Sequence, residues 1–210
     1  MCRITRCISL LALCFHLECQ AQLVKSFGIK AAYTTANQTT TFQYYGPEEY
    51  NRRSGLNAAI FVEWFNIPYV SVVTQAEYAQ RGMRAIVFPS TEEAPWTNKT
   101  IDNRLDYFSV LPLLKVAIPL SVVRPYVLIG PRLDFLLGYT SELHYFDDRY
   151  HHFKKRTYGA TLGLGAELMT NLPFVMLIEG RYNADLENAY DNTWMNVRSN
   201  AFDVWLGVAL

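Results

Sequence analysis

Residues 126–138 have the sequence Tyr-Val-Leu-Ile-Gly-Pro-Arg-Leu-Asp-Phe-Leu-Leu-Gly, and this stretch decides the fold class. The odd-numbered positions, from Val127 to Leu137, are all apolar, whereas the even-numbered positions include Arg132, Asp134 and two glycines. Successive side chains of a β-strand point to opposite faces, so one face here is apolar and the other is charged. The stretch is therefore predicted to be a strand whose two faces meet different surroundings.

The same period of two recurs along most of the chain. Eight segments show it: 24–36, 54–66, 69–84, 104–118, 124–140, 156–170, 174–186 and 197–210. A helical period of 3.6 is hard to find. No stretch after the N-terminal region approaches the roughly 18–20 apolar residues that a membrane-spanning helix needs. The pattern predicts an all-β protein.

The connections between these segments alternate in length. The joins at 66–68, 119–123 and 171–173 are short, whereas those at about 37–53, 85–103, 141–155 and 187–196 are long and polar. All long connections then project from one end, here called the long-loop end, and the opposite end is the short-turn end. This arrangement is typical of a transmembrane barrel with short periplasmic turns and longer external loops. We predict an eight-stranded antiparallel up-and-down transmembrane β-barrel.

The distribution of charge between the two strand faces supports this prediction. The charged face carries five bases and six acids, which we predict to form a lumenal polar network: Lys30, Glu63, Glu77, Arg81, Lys115, Arg132, Asp134, Glu167, Glu179, Arg181 and Asp203. The other face is almost free of charge, as lipid requires. A soluble ligand-binding barrel would have its apolar face inward. Outward-pointing Val127 and Ile129 with inward-pointing Arg132 and Asp134 would distinguish the membrane barrel from the soluble one.

Aromatic residues recur on the apolar face near the long-loop end. They are Tyr33, Tyr78, Phe108, Tyr139, Tyr158 and Tyr182. Tyr and Phe are common in strands of any kind. Their grouping at one level, however, predicts an aromatic belt at a membrane–water interface.

The first 21 residues have the features of a secretory signal peptide. Arg3 and Arg6 precede the mostly apolar segment 8–15, and Ala21 ends a short stretch suited to signal peptidase. An alternative is a lipoprotein signal with Cys14 or Cys19 lipidated, but no small residue immediately precedes either cysteine. We predict a signal peptide over 1–21 and an outer-membrane barrel domain over 22–210.

Removal of this segment changes the composition in an informative way. All four cysteines lie within the first nineteen residues, so the mature chain has none. Removing Arg3, Arg6 and Glu18 from the 19 basic and 19 acidic residues leaves 17 and 18. The absence of a basic excess argues against nucleic acid as a partner.

Several short motifs resemble the small outer-membrane β-barrel proteins of Bacteroidetes-type bacteria, which are related to PorT-like and OmpA/OmpX-type barrels. The resembling stretches are 27–30 (FGIK), 55–63 (GLNAAIFVE), 75–82 (QAEYAQRG), 106–115 (DYFSVLPLLK), 125–131 (PYVLIGP) and 179–183 (EGRYN). The resemblance implies an eight-stranded barrel in the Gram-negative outer membrane, without a shared enzymatic activity. It also implies contact with outer-membrane lipid and with the barrel-assembly machinery. The chain departs from the family in ending on Leu210 rather than on the aromatic residue which that machinery reads.

Candidate chemistry is sparse. Eight strands enclose an interior just wide enough for side chains to fill, so we expect no wide pore. No histidine falls within a predicted strand, and Ser109 has lumenal parity, so we predict no catalytic residues and no cofactor. Asp147 and Asp148 lie near His144, His151 and His152, but without the ligand spacing of a metal site. We therefore predict no metal.

The leading hypothesis is a non-enzymatic outer-membrane protein with a structural or loop-mediated binding role. Loops 37–53 and 85–103 would meet any protein partner, and Lys154, Lys155 and Arg156 could contact lipopolysaccharide phosphates. A lipid-modifying enzyme that uses rim residues such as His144 is one alternative. A narrow channel along Arg132 and Asp134, or along Glu179 and Arg181, is another.

Overall fold

The computed structural model describes residues 23–44, 46–65, 67–87, 99–141, 152–169, 173–191 and 194–210, in which every regular element is a β-strand. The strands are β1 (Val24–Phe42), β2 (Gly46–Glu49), β3 (Asn51–Trp64), β4 (Val70–Val87), β5 (Lys99–Ala117), β6 (Val123–Thr140), β7 (Arg156–Leu168), β8 (Val175–Asp185), β9 (Tyr190–Asp191) and β10 (Met195–Ala209). No helix in the described ranges has the length and hydropathy to cross a membrane. The predicted signal peptide, 1–21, lies outside the described residues.

Eight of these strands form a closed ring. Each pairs antiparallel with the next long strand, and β1 pairs with β10 from Gly28 opposite Ala209 to Phe42 opposite Met195. The short strands β2 and β9 extend the sheet at the long-loop end, beside β1 and β10. The predicted eight-stranded up-and-down barrel is confirmed.

The burial of alternate residues gives the orientation of the wall. On β6, Val127 and Ile129 are 41% and 54% exposed, whereas Arg132 and Asp134 are 1% and 0% exposed. The apolar face is therefore outward and the charged face is inward, as a barrel in lipid requires. This burial excludes the alternative of a soluble barrel with an apolar lumen.

The strands run further toward the long-loop end than predicted. β1 continues to Phe42 through a threonine-rich segment, and the predicted loop 37–53 consists mostly of β1, β2 and β3. Threonine favours strands, and the ladder between β1 and β10 holds this extension in place. At about 3.3 Å per residue the 19 residues of β1 are roughly 60 Å long, and a tilt of about 40° leaves roughly 45 Å along the barrel axis, against about 30 Å for a hydrocarbon core. β1 therefore extends beyond the hydrocarbon core at this end.

A β-bulge in β6 corrects one predicted position. The register shifts so that Leu136 lies opposite Tyr107 and Gly138 lies opposite Asp106. The extra residue reverses the parity of the rest of the strand, so Tyr139 lies opposite buried Leu105 and packs against an apolar cluster in the lumen. The assignment of Tyr139 to the outer aromatic belt is wrong for this reason.

Two further irregularities interrupt the ladders. Between β3 and β4 the register breaks after Arg52 opposite Met83 and resumes at Ala58 opposite Tyr78. Between β5 and β6 it breaks for three residues, and the flanking register places Pro112 opposite Pro131. Because proline has no N–H, neither Pro112 nor Pro131 can donate a backbone hydrogen bond to the other strand at this point.

The lumen also holds apolar side chains that the charge pattern does not predict. One buried cluster, which includes Phe61, Leu111 and Leu128, lies toward the short-turn end. A second cluster, which includes Met83, Leu105 and Val197, lies toward the long-loop end. The charged residues therefore occupy an interior that is packed with side chains.

Candidate functional site: the charged network inside the barrel

All residues predicted to face the lumen are buried. Relative exposure is 6% or less for Lys30, Glu63, Glu77, Arg81, Lys115, Arg132, Asp134, Glu167, Glu179, Arg181 and Asp203. An isolated charge is costly to bury, so the partners of these groups determine what the interior can do. The charges separate into three groups along the barrel axis.

The first group lies at the short-turn end and is centred on Lys115. Its ammonium donates to Glu63 Oε2 at 2.9 Å and also to Glu167. Glu63 further accepts a hydrogen bond from Ser71 at 2.5 Å, and Glu167 accepts one from Arg124 at 3.2 Å. This group joins β3, β4, β5, β6 and β7 across the lumen, so it ties most of the ring together at this end.

The second group lies in the middle of the barrel and is centred on Glu179. Its Oε1 accepts hydrogen bonds from Lys30 Nζ at 2.5 Å and from the Tyr126 hydroxyl at 2.6 Å. Arg181, two residues along the same strand, forms an ion pair with the other oxygen and stacks over the Trp205 ring at 5.3 Å. These contacts combine ion pairing with cation–π attraction, which is favourable where water is excluded.

The third group lies nearest the long-loop end and contains two arginines and two aspartates. Arg81 Nη1 and Arg132 Nε both donate to Asp134 Oδ2 at 2.8 Å. Arg132 Nη2 also donates to Asp185 Oδ1 at 2.5 Å, and Ser109 donates to Asp134 Oδ1 at 2.5 Å. The group is formally neutral, and its bonds cross the lumen between β4, β5, β6 and β8.

Two of the buried acids have neutral partners instead. Glu77 accepts a hydrogen bond from Gln75 at 2.7 Å and forms no ion pair within the part of the chain that the structure describes. Asp203 accepts hydrogen bonds from Thr34 at 2.5 Å and from Asn183 at 2.6 Å. These acids extend the network beyond its ion pairs.

The sequence pattern missed several members of the network. Asp185 has the same parity as Glu179 and Arg181 on β8, so the pattern that identified those residues could have identified it too. Arg124 and Lys25 lie near the short-turn end, where Lys25 donates to Glu63 at 2.6 Å. Their partners could not be predicted, because the lumen brings together strands that are distant in the sequence.

The predicted aromatic belt lies on the outer wall apart from Tyr139. Tyr33, Tyr158 and Tyr182 are 50–58% exposed, and Tyr78 and Phe108 are 38% and 41% exposed. All five point outward on strands whose inward neighbours are buried.

The predicted loop chemistry lies largely outside the described residues. This holds for His144, Asp147, Asp148 and His151, and the described residues contain no group of three metal-ligating side chains. His152 is exposed at the long-loop end. Of the nearby bases, Lys154 donates to Glu187 at 2.6 Å, and Arg156 stacks over the Phe135 ring at 5.6 Å.

Comparison with known proteins gives a family match. The model of the family described as outer membrane protein beta-barrel domain matches residues 20–191. No curated protein matches the chain.

Solved structures of outer-membrane proteins are similar to the chain. OprG from Pseudomonas aeruginosa is 11% identical with a TM-score of 0.55, and the match covers 91% of this chain and 98% of OprG. Ail, the attachment invasion locus protein of Yersinia pestis, is 17% identical with a TM-score of 0.38, covering 88% and 98%. The outer membrane protease OmpT from Escherichia coli is 9% identical with a TM-score of 0.41, covering 88% and 96%. At these identities the similarity to OprG supports the fold alone.

Proposed function

Because the chain belongs to the outer membrane protein beta-barrel domain family, we propose that it is a non-enzymatic outer-membrane protein whose closed barrel holds external loops in position for binding. The observation that carries this proposal is the packed, ion-paired lumen. The three charged groups cross the interior at different heights, and apolar clusters fill the space toward both ends. Such an interior stabilises a scaffold and leaves little room for passage.

Exposed aromatic side chains at the long-loop end support a binding role. Tyr44 and Trp194 are 73% and 62% exposed, and their ring centroids are 6.0 Å apart. The Gln43 N–H donates to the Trp194 carbonyl at 3.0 Å, which holds the two segments together. Tyr and Trp are enriched among the residues that dominate binding energy at protein interfaces.

Planar-bilayer recording of the purified, refolded protein tests the closed lumen. We expect no discrete conductance from the natural sequence. A wide-channel porin added to the same bilayers serves as the positive control and should give discrete conductance steps. Discrete steps from the natural protein would contradict the proposal and favour the narrow channel.

The enzymatic alternative is tested separately. Lipid A and phospholipids extracted from a deletion strain and from the parent should give identical mass spectra. Within the described residues, the one histidine is His152, which is exposed at the long-loop end. A mass difference of one acyl chain or one headgroup between the strains would overturn the non-enzymatic assignment.

More specific assignments of the family, the processing and the partners of the chain belong to the same proposal. The motif series supports placing the chain among the Bacteroidetes-type, PorT-like barrels. We further propose signal cleavage after Ala21, insertion by the barrel-assembly machinery and contact with lipopolysaccharide. A measured mass of the intact protein that equals the mass of residues 22–210 would support the cleavage site.

A further inference from the structure

We propose that the outer wall over β1, β3, β4 and β5 binds one lipid that carries phosphate on its headgroup, the chemistry of lipid A in lipopolysaccharide. A phosphate would lie against Arg84 and Arg104, and an acyl chain would lie in a groove whose floor is made of alanines. This inference rests on the outer-membrane placement and is independent of the closed lumen.

The groove lies on the lipid-facing side of β1, β3 and β4 and extends onto β10 at Leu206 and Val208. Ala31 lies opposite Ala58, and Ala76 lies opposite Ile60, so small side chains form the floor. Larger side chains stand on either side of this floor: Ile29, Leu56, Ile60, Tyr78 and Leu206. Its two parts overlap at Ala31, Ala58, Tyr78 and Leu206, and both are shallow and open along the wall. An acyl chain can lie along an open apolar furrow of this kind.

The upper end of the groove has polar groups where the ladder between β3 and β4 is interrupted. Gln80 Oε1 accepts a hydrogen bond from the Leu56 N–H at 3.2 Å, and Asn57 Oδ1 accepts one from the Gln80 N–H at 2.9 Å. Side-chain amides thus replace backbone hydrogen bonds at this level. This zone suits the sugar or glycerol part of a headgroup.

An arginine cluster lies above this zone, formed by Arg53, Arg84 and Arg104 with Asp102 and Asp106. Arg53 Nε is 2.5 Å from Asp102 Oδ1, whereas Arg84 reaches the same carboxylate only at 3.5 Å, and Arg104 pairs with Asp106 at 3.1 Å. The side chains of Arg84 and Arg104 are 47% and 40% exposed. Three bases against two acids leave a positive charge, and exposed guanidinium groups bind phosphate well.

The spacing between the arginines and the groove matches a lipid headgroup. Arg104 lies four residues above Phe108, which lines the groove, and this corresponds to about 13 Å along the strand. Arg84 lies four residues above Gln80, again about 13 Å. Both arginines alternate with buried neighbours and therefore point outward, toward the headgroups of the outer leaflet.

Native mass spectrometry of the delipidated, folded protein tests this site with purified lipid A as the probe. We expect one lipid A per barrel, with binding reduced at least tenfold in Arg84→Gln/Arg104→Gln. The matched control is Arg198→Gln, an arginine that also points outward at the same end of the barrel but on β10. It should change binding less than twofold. Equal losses in both variants, or no loss in either, would overturn the site.

A second variant pair tests the groove without altering charge. Ala58→Leu fills the floor and should reduce lipid A binding at least fivefold, whereas Ala160→Leu on the outer face of β7 should leave it unchanged. Phosphatidylglycerol binding as tightly as lipid A would contradict the lipid A assignment, as would full competition by inorganic phosphate. A gel shift on heating confirms folding of each variant. Because conductance is recorded in bilayers that contain no lipid A, failure here is distinguishable from failure of the closed-lumen proposal.

Discussion

Gly130 lies where the wall of the barrel leaves no room for a side chain. A Cβ atom there would be 2.2 Å from the Pro112 carbonyl oxygen and 3.0 Å from Leu113 Cα, and neither backbone atom can move without disturbing β5. We predict that Gly130→Ala lowers the free energy of unfolding by roughly 1–3 kcal/mol, as overpacking does in other cores. Urea unfolding in lipid vesicles, followed by tryptophan fluorescence, measures it. Gly138→Ala on the same strand is the control, because nothing lies within 4 Å of its Cβ position. A loss of equal size in both variants would contradict the steric explanation.

The buried carboxylate of Glu179 holds two cations and a hydroxyl at the centre of the lumen. Replacing it by glutamine leaves the positive charges of Lys30 and Arg181 without their buried partner. We predict that Glu179→Gln lowers the free energy of unfolding by about 3–5 kcal/mol. The same urea titration measures this effect.

Glu187→Gln is the matched control for this substitution. Its ion pair with Lys154 has a similar distance, 2.6 Å, but the two side chains are 36% and 40% exposed. Exposed pairs contribute about 0–1 kcal/mol, so this variant should unfold almost like the natural protein. Similar stability of both variants would show that the central group is not what holds the lumen together.

At the residue scale, the sequence predicts which side chains face inward but not which of them meet. The alternation of polar and apolar residues shows which face of a strand is polar, so each charged residue can be assigned to the lumen or to the outer wall. Partners depend on how far each strand is staggered around the ring. Lys30 on β1 reaches Glu179 on β8, past the intervening β10, and no sequence spacing indicates that contact.

The interrupted ladder between β3 and β4 is a feature of strand pairing with a measurable consequence. Residues 53–57 and 79–82 lack the regular register, whereas 58–64 and 72–78 are fully paired. We predict that backbone amides of the interrupted interval exchange with deuterium at least tenfold faster than those of the paired interval. Hydrogen exchange read by NMR in micelles checks this. Uniformly slow exchange across both intervals would show that the side-chain amides of Asn57 and Gln80 seal the wall as well as a ladder does.

At this scale, the irregularities in strand pairing are the features that the sequence could not predict. All eight long strands are predicted from period two, yet a single extra residue in β6 reverses the side on which Tyr139 lies. Pattern counting assumes an unbroken register, and nothing in the local composition marks the bulge. The polar ends of β1 and β5 fall in predicted loops because lipid-facing hydrophobicity stops before the hydrogen-bonded ladder does.

At the scale of the whole molecule, apolar side chains both cover the outer wall of the barrel and fill its lumen. Half of the chain is hydrophobic, and outward residues such as Ile29 and Leu206 meet lipid while Leu111 and Trp205 fill the lumen. The interior therefore resembles an ordinary protein core with ion pairs embedded in it. The lumen carries similar numbers of positive and negative charges, because an unpaired charge in such a packed interior would be costly.

The absence of cysteine after residue 19 makes the orientation of the barrel directly testable. Ser121 lies in the exposed turn after β5, and Glu48 lies on the exposed β2 at the opposite end. In intact cells, we predict that a maleimide too large for porins labels Glu48→Cys but not Ser121→Cys, because short turns face the periplasm. Permeabilised cells should label both, which controls for reactivity. The proposed signal cleavage removes all four cysteines, so the natural protein should stay unlabelled even after denaturation. Labelling of Ser121→Cys alone in intact cells would require the reverse orientation, and it would place the arginine cluster and its lipid groove in the periplasmic leaflet.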